Sequence, residues 1–265
     1  MDTLTDLHEV IGELSLIEEE LGDYVEESSI YLEGENLDYM REFRTMKKQY
    51  KILFKEAKKL YKAGKYNEAS KKVAACKTIV KHTEKLIRSM DSTVGGAVIG
   101  AYLMLIINSL RSLLISLPCF MLTTIGYAGV AASISDVVTK ASAATFTIGS
   151  LSDIPTRLAQ MITQLVEVIR TAFTMINDIH KTDKHKDLTP GQFNTYRGHL
   201  LGLCKQYTAA LNRLEKMVKN GDKLKKVSKK KAALQEACDE GRISFEKYDY
   251  YTEILNDKIS ELVNY

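Results

Sequence analysis

The residue types that most often carry enzymatic or metal chemistry are concentrated in one polar stretch of this sequence. His180, Asp183, His185 and Asp187 bring two imidazoles and two carboxylates close together. Such groups can bind a divalent metal, but their spacing matches no pattern of zinc sites. The sequence also lacks a Gly-rich phosphate loop, a nucleophile elbow and a paired-cysteine motif. We therefore expect solvated side chains here, and we predict no metal, no cofactor and no enzymatic activity.

A second set of reactive groups is cationic and could contact phosphates. Residues 36–90 carry sixteen Lys or Arg and five acids, whereas residues 1–35 carry twelve acids and no Lys or Arg. The candidate phosphate or DNA contacts are Lys47, Lys48, Lys51, Lys55, Lys58, Lys59, Lys223, Lys225 and Lys226. Such contacts would be non-specific and salt-sensitive. The alternative is a solvated basic face that lies against the acidic N-terminal segment.

The most informative stretch, residues 94–135, is almost free of charge. Its 42 residues contain one charge, Arg111, in a chain that is 27% charged. Seventeen uncharged residues precede Arg111 and twenty-four follow it, and a transmembrane helix needs roughly 17 to 25 mostly apolar residues. The stretch therefore predicts either a hydrophobic hairpin that enters a bilayer or an apolar helix pair in the core of a bundle.

Six residues are candidates for shaping a membrane insertion. Small residues at Gly96 and Gly100, and again at Gly126 and Gly129, would let two helices approach closely in lipid. Arg111 suits a hairpin tip or a membrane interface, and Pro118 would end or kink the first helix. A central arginine would also cost about 2.5 to 3.5 kcal/mol at mid-bilayer, which favours the buried core. We leave both alternatives open.

Helical spacing dominates the rest of the chain. Apolar residues at steps of three and four predict helices over 37–62 and 66–90, separated by Gly64, and they therefore predict an antiparallel helical hairpin. Thr189-Pro190-Gly191-Gln192 matches a helix-initiating capping box. The four cysteines, Cys76, Cys119, Cys204 and Cys238, are far apart, and we interpret them as buried thiols in a reducing compartment.

These patterns predict an all-α fold of helical hairpins and a bundle around a central hydrophobic helical hairpin. The predicted divisions are an acidic amphipathic leader (1–35), a basic helical hairpin (36–91), the hydrophobic segment (92–152), a second helix pair (153–221), a Lys-rich linker (222–231) and a short C-terminal helical hairpin (232–265).

Part of the chain resembles a known class of proteins. The acidic leader ends in Ser29-Ile30-Tyr31-Leu32-Glu33-Gly34, and the basic stretch MREFRTMKKQYKILFKEAKKLYKAGKYNEASKKV, Ser89-Met90-Asp91-Ser92 and the apolar stretch follow. Over about residues 20–135 this order resembles virion structural or internal head proteins of large tailed bacteriophages. The C-terminal LQEACDEGRISFEKYDYYTEILNDKISEL separately looks like a short helical hairpin at the ends of many bacterial and phage proteins, where it serves assembly.

The phage resemblance implies that a prohead protease could remove the leader. Such proteases often cut after a glutamate that follows Leu or Ile by two residues, and Glu9, Glu13 and Glu18 fit that pattern. A cut after Glu18 would remove five acids and no base, and the remaining chain would be more basic. A more basic mature chain would suit a head packed with DNA.

Taken together, the residues and the resemblance predict a non-enzymatic virion protein that is made in the bacterial cytoplasm and can be ejected with DNA onto the host membrane. Its expected partners are other virion proteins or itself as an oligomer, non-specific DNA and the host membrane. One alternative is a helical pore-forming or translocator protein that releases the apolar hairpin on contact with lipid. The other is a soluble scaffold that buries residues 94–135 by oligomerising.

Overall fold

The fold is all-α, as the sequence predicts. A computed structural model describes residues 22–23, 25–26, 34–91, 98–106, 109, 113, 170, 174 and 188–264. In those residues the helices are α1 (Gly34–Lys62), α2 (Tyr66–Ser89), α3 (Pro190–Lys219), α4 (Gly221–Asp239) and α5 (Phe245–Asn264), together with a central segment. The central segment comprises residues 98–106 with Ser109 and Leu113, all of them helical and buried. No strand occurs in this described part.

Helices α1 and α2 form the hairpin that the break at Gly64 predicts. Gly64 adopts a φ of 75°, which a glycine tolerates better than any other residue. The Gly64 amide donates to Tyr61 O at 3.0 Å and the Lys65 amide donates to Leu60 O at 2.9 Å, which satisfies the last carbonyls of α1. The predicted seam of α2 is buried at every position: Tyr66, Ala69, Val73, Cys76, Val80, Thr83, Ile87 and Met90.

Helix α3 packs along α2 and closes the core from the other side. Its start is fixed by the predicted capping box, in which Thr189 Oγ1 accepts from the Gln192 amide at 3.3 Å and Gln192 Oε1 accepts from the Thr189 amide at 3.0 Å. Lys77 on α2 and Glu215 on α3 form a partly buried ion pair at 2.5 Å. The two helices are therefore joined by an apolar seam, by this ion pair and by the Arg197 side chain of α3, which donates through Nη1 to Met90 O at the end of α2 at 3.2 Å.

The central segment fills the space that the amphipathic helices enclose. Val98, Ile99, Tyr102 and Leu103 are completely buried. The Tyr102 hydroxyl donates to Tyr39 O at 3.2 Å, so even the polar end of this side chain is satisfied. In the residues that the structure describes, this part of the predicted hydrophobic hairpin is therefore the core of the bundle.

The predicted linker over 222–231 is wrong. Residues 221–239 form one continuous helix, α4, whose buried residues include Leu224, Val227 and Lys231. These positions are spaced by three and four, so the lysine-rich tract hides an amphipathic stripe that faces α5. The turn between α4 and α5 uses Gly241 at a φ of 69°, and the division of the chain into separate domains stays a prediction.

Helix α5 returns along α4 and is tied to both of its neighbours. Lys231 Nζ donates to Asn256 Oδ1 at 3.0 Å between α4 and α5. Asn220, at the junction of α3 and α4, donates through Nδ2 to Leu262 O at 2.7 Å. These bonds hold the C-terminal hairpin against the end of α3.

We predict that Gly221→Ala destabilises the protein, because α4 begins in contact with Tyr66. An added Cβ would lie 2.6 Å from Tyr66 Cε1, and that ring is buried edge-to-face against Tyr61. Overpacking of this kind costs about 1–3 kcal/mol in unfolding free energy, measured by urea denaturation. The matched control is Gly202→Ala in α3, where the new methyl meets no atom within 4 Å and should stabilise by about 0.5–1 kcal/mol. Equal effects of the two substitutions would contradict the packing at this corner.

Candidate functional site

The centre of the molecule is a hydrogen-bonded contact between three helical elements. Tyr207 of α3 donates its hydroxyl proton to Ser109 O of the central segment at 3.0 Å, since a carbonyl can only accept. The Tyr50 hydroxyl of α1 contacts the Tyr207 hydroxyl closely. Because Tyr207 has only one proton to donate, Tyr50 is the donor in that second bond. The chain of bonds from Tyr50 through Tyr207 to Ser109 therefore links α1, α3 and the central segment.

A small cavity lies beside these hydroxyls. Its volume is about 10 Å³, and its lining comes from α1, α2, α3 and the central segment. The lining residues are Tyr50, Ile79, Val80, Thr83, Leu105, Ile106, Ser109 and Tyr207. A space of this size is close to the lower limit for a single buried water molecule. It is too small for a substrate, so its role is in packing.

Burial keeps the ionisable groups of this centre neutral. Desolvation raises the pKa of Tyr50 and of Tyr207 well above 10.0. Desolvation also raises the pKa of the Cys76 thiol, and likewise of the Cys204 thiol, from 9.0 to about 12. Both cysteines are buried, as the sequence predicts, and their thiols are protonated and poorly nucleophilic near neutral pH.

Of the residues predicted to shape membrane insertion, Gly100 lies in the buried central segment. Gly96, Arg111, Pro118, Gly126 and Gly129 lie outside the described residues. Within the described ranges, no helix combines the length and the apolar character needed to cross a bilayer. The processing candidates Glu9, Glu13 and Glu18 also lie outside those ranges, so leader removal stays a prediction.

The lysines predicted to contact phosphate differ in their exposure. Lys47 is partly buried, with Nζ 3.5 Å from Met104 Sδ and 5.7 Å from the centre of the Phe43 ring. The Lys47 ammonium group therefore lies over one edge of the central segment. Lys58 is half-buried on α1. The exposed members are Lys48, Lys51, Lys55 and Lys59 on α1 and Lys223, Lys225 and Lys226 on α4.

Metal binding has no candidate in the part of the chain that the structure describes, where no three His, Cys, Asp or Glu side chains come together. The predicted polar loop with His180 and His185 falls outside that part. His82 contacts Glu42 at 3.0 Å on the exposed side of the α1–α2 hairpin. That pair is a solvent-exposed contact, and surface pairs of this kind contribute little to stability.

Sequence reasoning missed the tyrosine pair at the centre. Tyr50 and Tyr207 both occupy apolar positions of amphipathic helices, so the sequence predicts their burial and gives no sign of their contact. A tyrosine on a core seam does carry one usable signal, because a buried hydroxyl needs a partner. The sequence does not identify that partner, because Tyr50 and Tyr207 are 157 positions apart in the chain.

Comparison with known proteins places this chain in no family. No protein-family model, no curated protein and no solved structure matches it.

We predict that Tyr207→Phe destabilises the fold through its hydroxyl alone. The substitution removes the bond to Ser109 O and leaves the buried Tyr50 hydroxyl without its acceptor. Such a loss costs about 1–3 kcal/mol in unfolding free energy. The control is Tyr66→Phe, another buried ring, whose change should be under about 0.5 kcal/mol. In a double-mutant cycle, Tyr50→Phe should cost less in the Tyr207→Phe background than alone. Strict additivity would contradict the bond.

We also predict that stability falls in alkaline solution. Cys76 and Cys204 have a raised pKa in the folded state, so their contribution is complete below about pH 9 and is lost as pH rises toward about 12. Urea denaturation from neutral pH to about pH 11 measures this loss. Cys76→Ala combined with Cys204→Ala should flatten the decline, whereas an equally steep decline in that variant would contradict the assignment.

Proposed function

We propose that this chain is a non-enzymatic structural protein of a tailed bacteriophage particle, made in the bacterial cytoplasm and stored in the head. In this proposal it leaves with the DNA and brings its apolar segment to the host membrane. The observation that supports it best is the burial of residues 98–106 by amphipathic helices of the same chain. Such a bundle carries an apolar segment through water, and it needs no active site to do so.

The energy of that burial explains why release would need a membrane. Exposing a buried Val, Leu, Ile or Phe side chain to water costs about 1.5–3 kcal/mol. The central segment has seven buried side chains of this size or larger between positions 98 and 106, so its exposure costs on the order of 10 kcal/mol. A whole domain is stable by only about 5–15 kcal/mol. The segment therefore leaves the bundle only where another apolar phase, such as a bilayer, accepts it.

The lysines of α4 suit the second contact in this proposal, with packaged DNA. Lys223, Lys225 and Lys226 are exposed, and Lys229 and Lys230 extend the same cationic surface. No large apolar residue is exposed on α4, so this surface is suited to phosphates rather than to a protein partner. Binding there would be non-specific and would weaken as salt rises.

A second candidate function, an oligomeric scaffold, is favoured by the exposed face of α5. Phe245 is 72% exposed and Tyr250 is 62% exposed. Large apolar side chains clustered on a surface mark contacts with other proteins. A scaffold would keep the central segment buried permanently, and that difference separates the two functions.

We predict that the full-length protein binds lipid when the bundle opens. With anionic vesicles in a flotation assay, the wild type should bind poorly under native conditions and bind after mild destabilisation with urea. Tyr207→Phe should reach half-maximal binding at a lower urea concentration, because it weakens the hold on the central segment. Tyr66→Phe should behave as wild type.

The vesicle outcomes separate the candidates. Absence of lipid binding by every variant, even in urea, would rule out the membrane role and leave the scaffold. Rapid dye leakage caused by the native wild type alone would instead favour a pore-forming protein. Mass spectrometry of purified particles from a phage that encodes this chain tests the virion role, and absence of the chain from those particles would refute it. The first residue found in the particles tests cleavage after Glu9, Glu13 or Glu18.

A further inference from the structure

Helix α5 presents an apolar face that no described residue covers. The exposed large hydrophobic residues of the described ranges are Ile52, Phe245, Tyr250, Tyr251 and Ile254, and four of the five lie on α5. Tyr250 and Ile254 are one helical turn apart, so they form one ridge. The Tyr250 and Tyr251 rings pack edge to face, with their centroids 5.4 Å apart. Tyr250, Tyr251 and Ile254 share one side of this helix of 20 residues, whereas Phe245 lies in its first turn. Exposed large side chains grouped in this way mark a contact surface.

Two exposed lysines adjoin this ridge, Lys247 three positions before Tyr250 and Lys258 four positions after Ile254. Carboxylates run along its other side. They are Glu246, Asp249, Glu253, Asp257 and Glu261, all exposed and spaced by three or four residues. None of the five forms an ion pair with any residue that the structure describes. We call these five residues, with Tyr250 and Ile254, the acidic face. From Glu246 to Glu261 it is about 22 Å long.

Helix α1 carries a surface of the opposite sign. Its members are Arg44, Lys48, Lys51, Lys55, Lys59 and Lys62, all exposed and again spaced by three or four residues. They too form no ion pair within the described ranges. We call these six residues the cationic stripe. It is about 27 Å long.

The cationic stripe also has an apolar centre. Ile52, the one exposed large hydrophobic residue off α5 in the described ranges, follows Lys48 by four positions and precedes Lys55 by three. It is therefore a direct neighbour of both cations on the helix surface. A surface that binds only phosphates gains nothing from an isoleucine that is 48% exposed, whereas a surface that packs against a protein helix does.

We infer that the acidic face of one copy of this chain docks on the cationic stripe of a second copy. Both surfaces are exposed in the single chain, so they cannot neutralise each other there. In the docked pair, Ile52 of one copy packs against Tyr250 and Ile254 of the other. Carboxylates of one copy and cations of the other lie along one side of that contact, which fixes orientation and disfavours like-charged partners.

The resulting contact is head-to-tail. Each copy uses two different surfaces, so a closed rotation gives a ring and any other rotation gives an open filament. A single pair of helices buries less than the roughly 1,600 Å² of a standard interface, and the association is therefore weak, concentration-dependent and salt-dependent. Head-to-tail docking is compatible with either candidate function, and it does not depend on the chain being a phage protein.

The test is sedimentation velocity of the full-length protein over a concentration series. The wild type should sediment faster as its concentration rises at low ionic strength, and this increase should disappear in about 1 M salt, where the Debye length is about 3 Å. One variant reverses the stripe (Lys48→Glu, Lys51→Glu and Lys55→Glu), and a second reverses the acidic face (Glu253→Lys and Asp257→Lys). Each variant alone should lose association by about tenfold or more.

Mixing the two reversed variants provides the decisive result. In the mixture each altered surface faces its complement on the other variant, and so does each unaltered surface, so association should return. The matched control reverses Lys225, Lys226 and Lys229 of α4, which are equally exposed, and it should associate as wild type.

Three outcomes overturn the proposal: a monomeric wild type at every concentration, reversed variants that still associate alone, or a mixture that stays monomeric. A monomeric wild type whose stripe instead retains duplex DNA would assign the stripe to nucleic acid. Flotation of the same variants with zwitterionic vesicles is an independent readout, because none of these substitutions touches the central segment and an uncharged lipid surface does not respond to their change of charge. A failure of docking is therefore distinguishable from a failure of the membrane proposal.

Discussion

The bond from the Tyr207 hydroxyl to Ser109 O is the contact on which the arrangement of the bundle depends. Apolar burial supplies most of the favourable energy of the core, but it is non-directional and would tolerate a central segment that slides or rotates. A buried hydroxyl without an acceptor costs about 1–3 kcal/mol, so the bond favours one register of the central segment. Tyr50 extends that constraint to α1, so α1, α3 and the central segment are held in one register.

The distribution of charge on the surface of the bundle follows from the burial of its apolar residues. Each amphipathic helix must bury one stripe, so its lysines and carboxylates collect on the opposite face. On α1 and α5 those faces have opposite signs and each has an apolar centre, whereas the exposed face of α4 is cationic without one. The described bundle thus holds an apolar segment in its interior, and its exposed helix faces differ in the sign of their charge and in their apolar content.

Local patterns account for what the sequence could predict. The seam from Tyr66 to Met90 repeats at steps of three and four, and the capping box at Thr189 is encoded within four residues, so both were predictable and both are confirmed. The tract over 222–231 was misinterpreted because its lysines conceal the buried Leu224 and Val227. The pairing of Tyr50 with Tyr207 depends on how distant helices dock, and no local pattern in one sequence specifies that. Head-to-tail docking likewise could not be predicted from the sequence, because it depends on which charged faces stay exposed in the folded chain.

Hydrogen–deuterium exchange of the lipid-free, full-length protein tests the central claim most directly. The claim is that residues 98–106 are part of the bundle core and leave it only when the bundle opens. Their amides should then exchange as slowly as those of the α2 seam, at a rate set by global unfolding, and should exchange faster in Tyr207→Phe. Rapid exchange of residues 98–106 beside a protected α2 would contradict the account, because it would place the segment outside the core under native conditions.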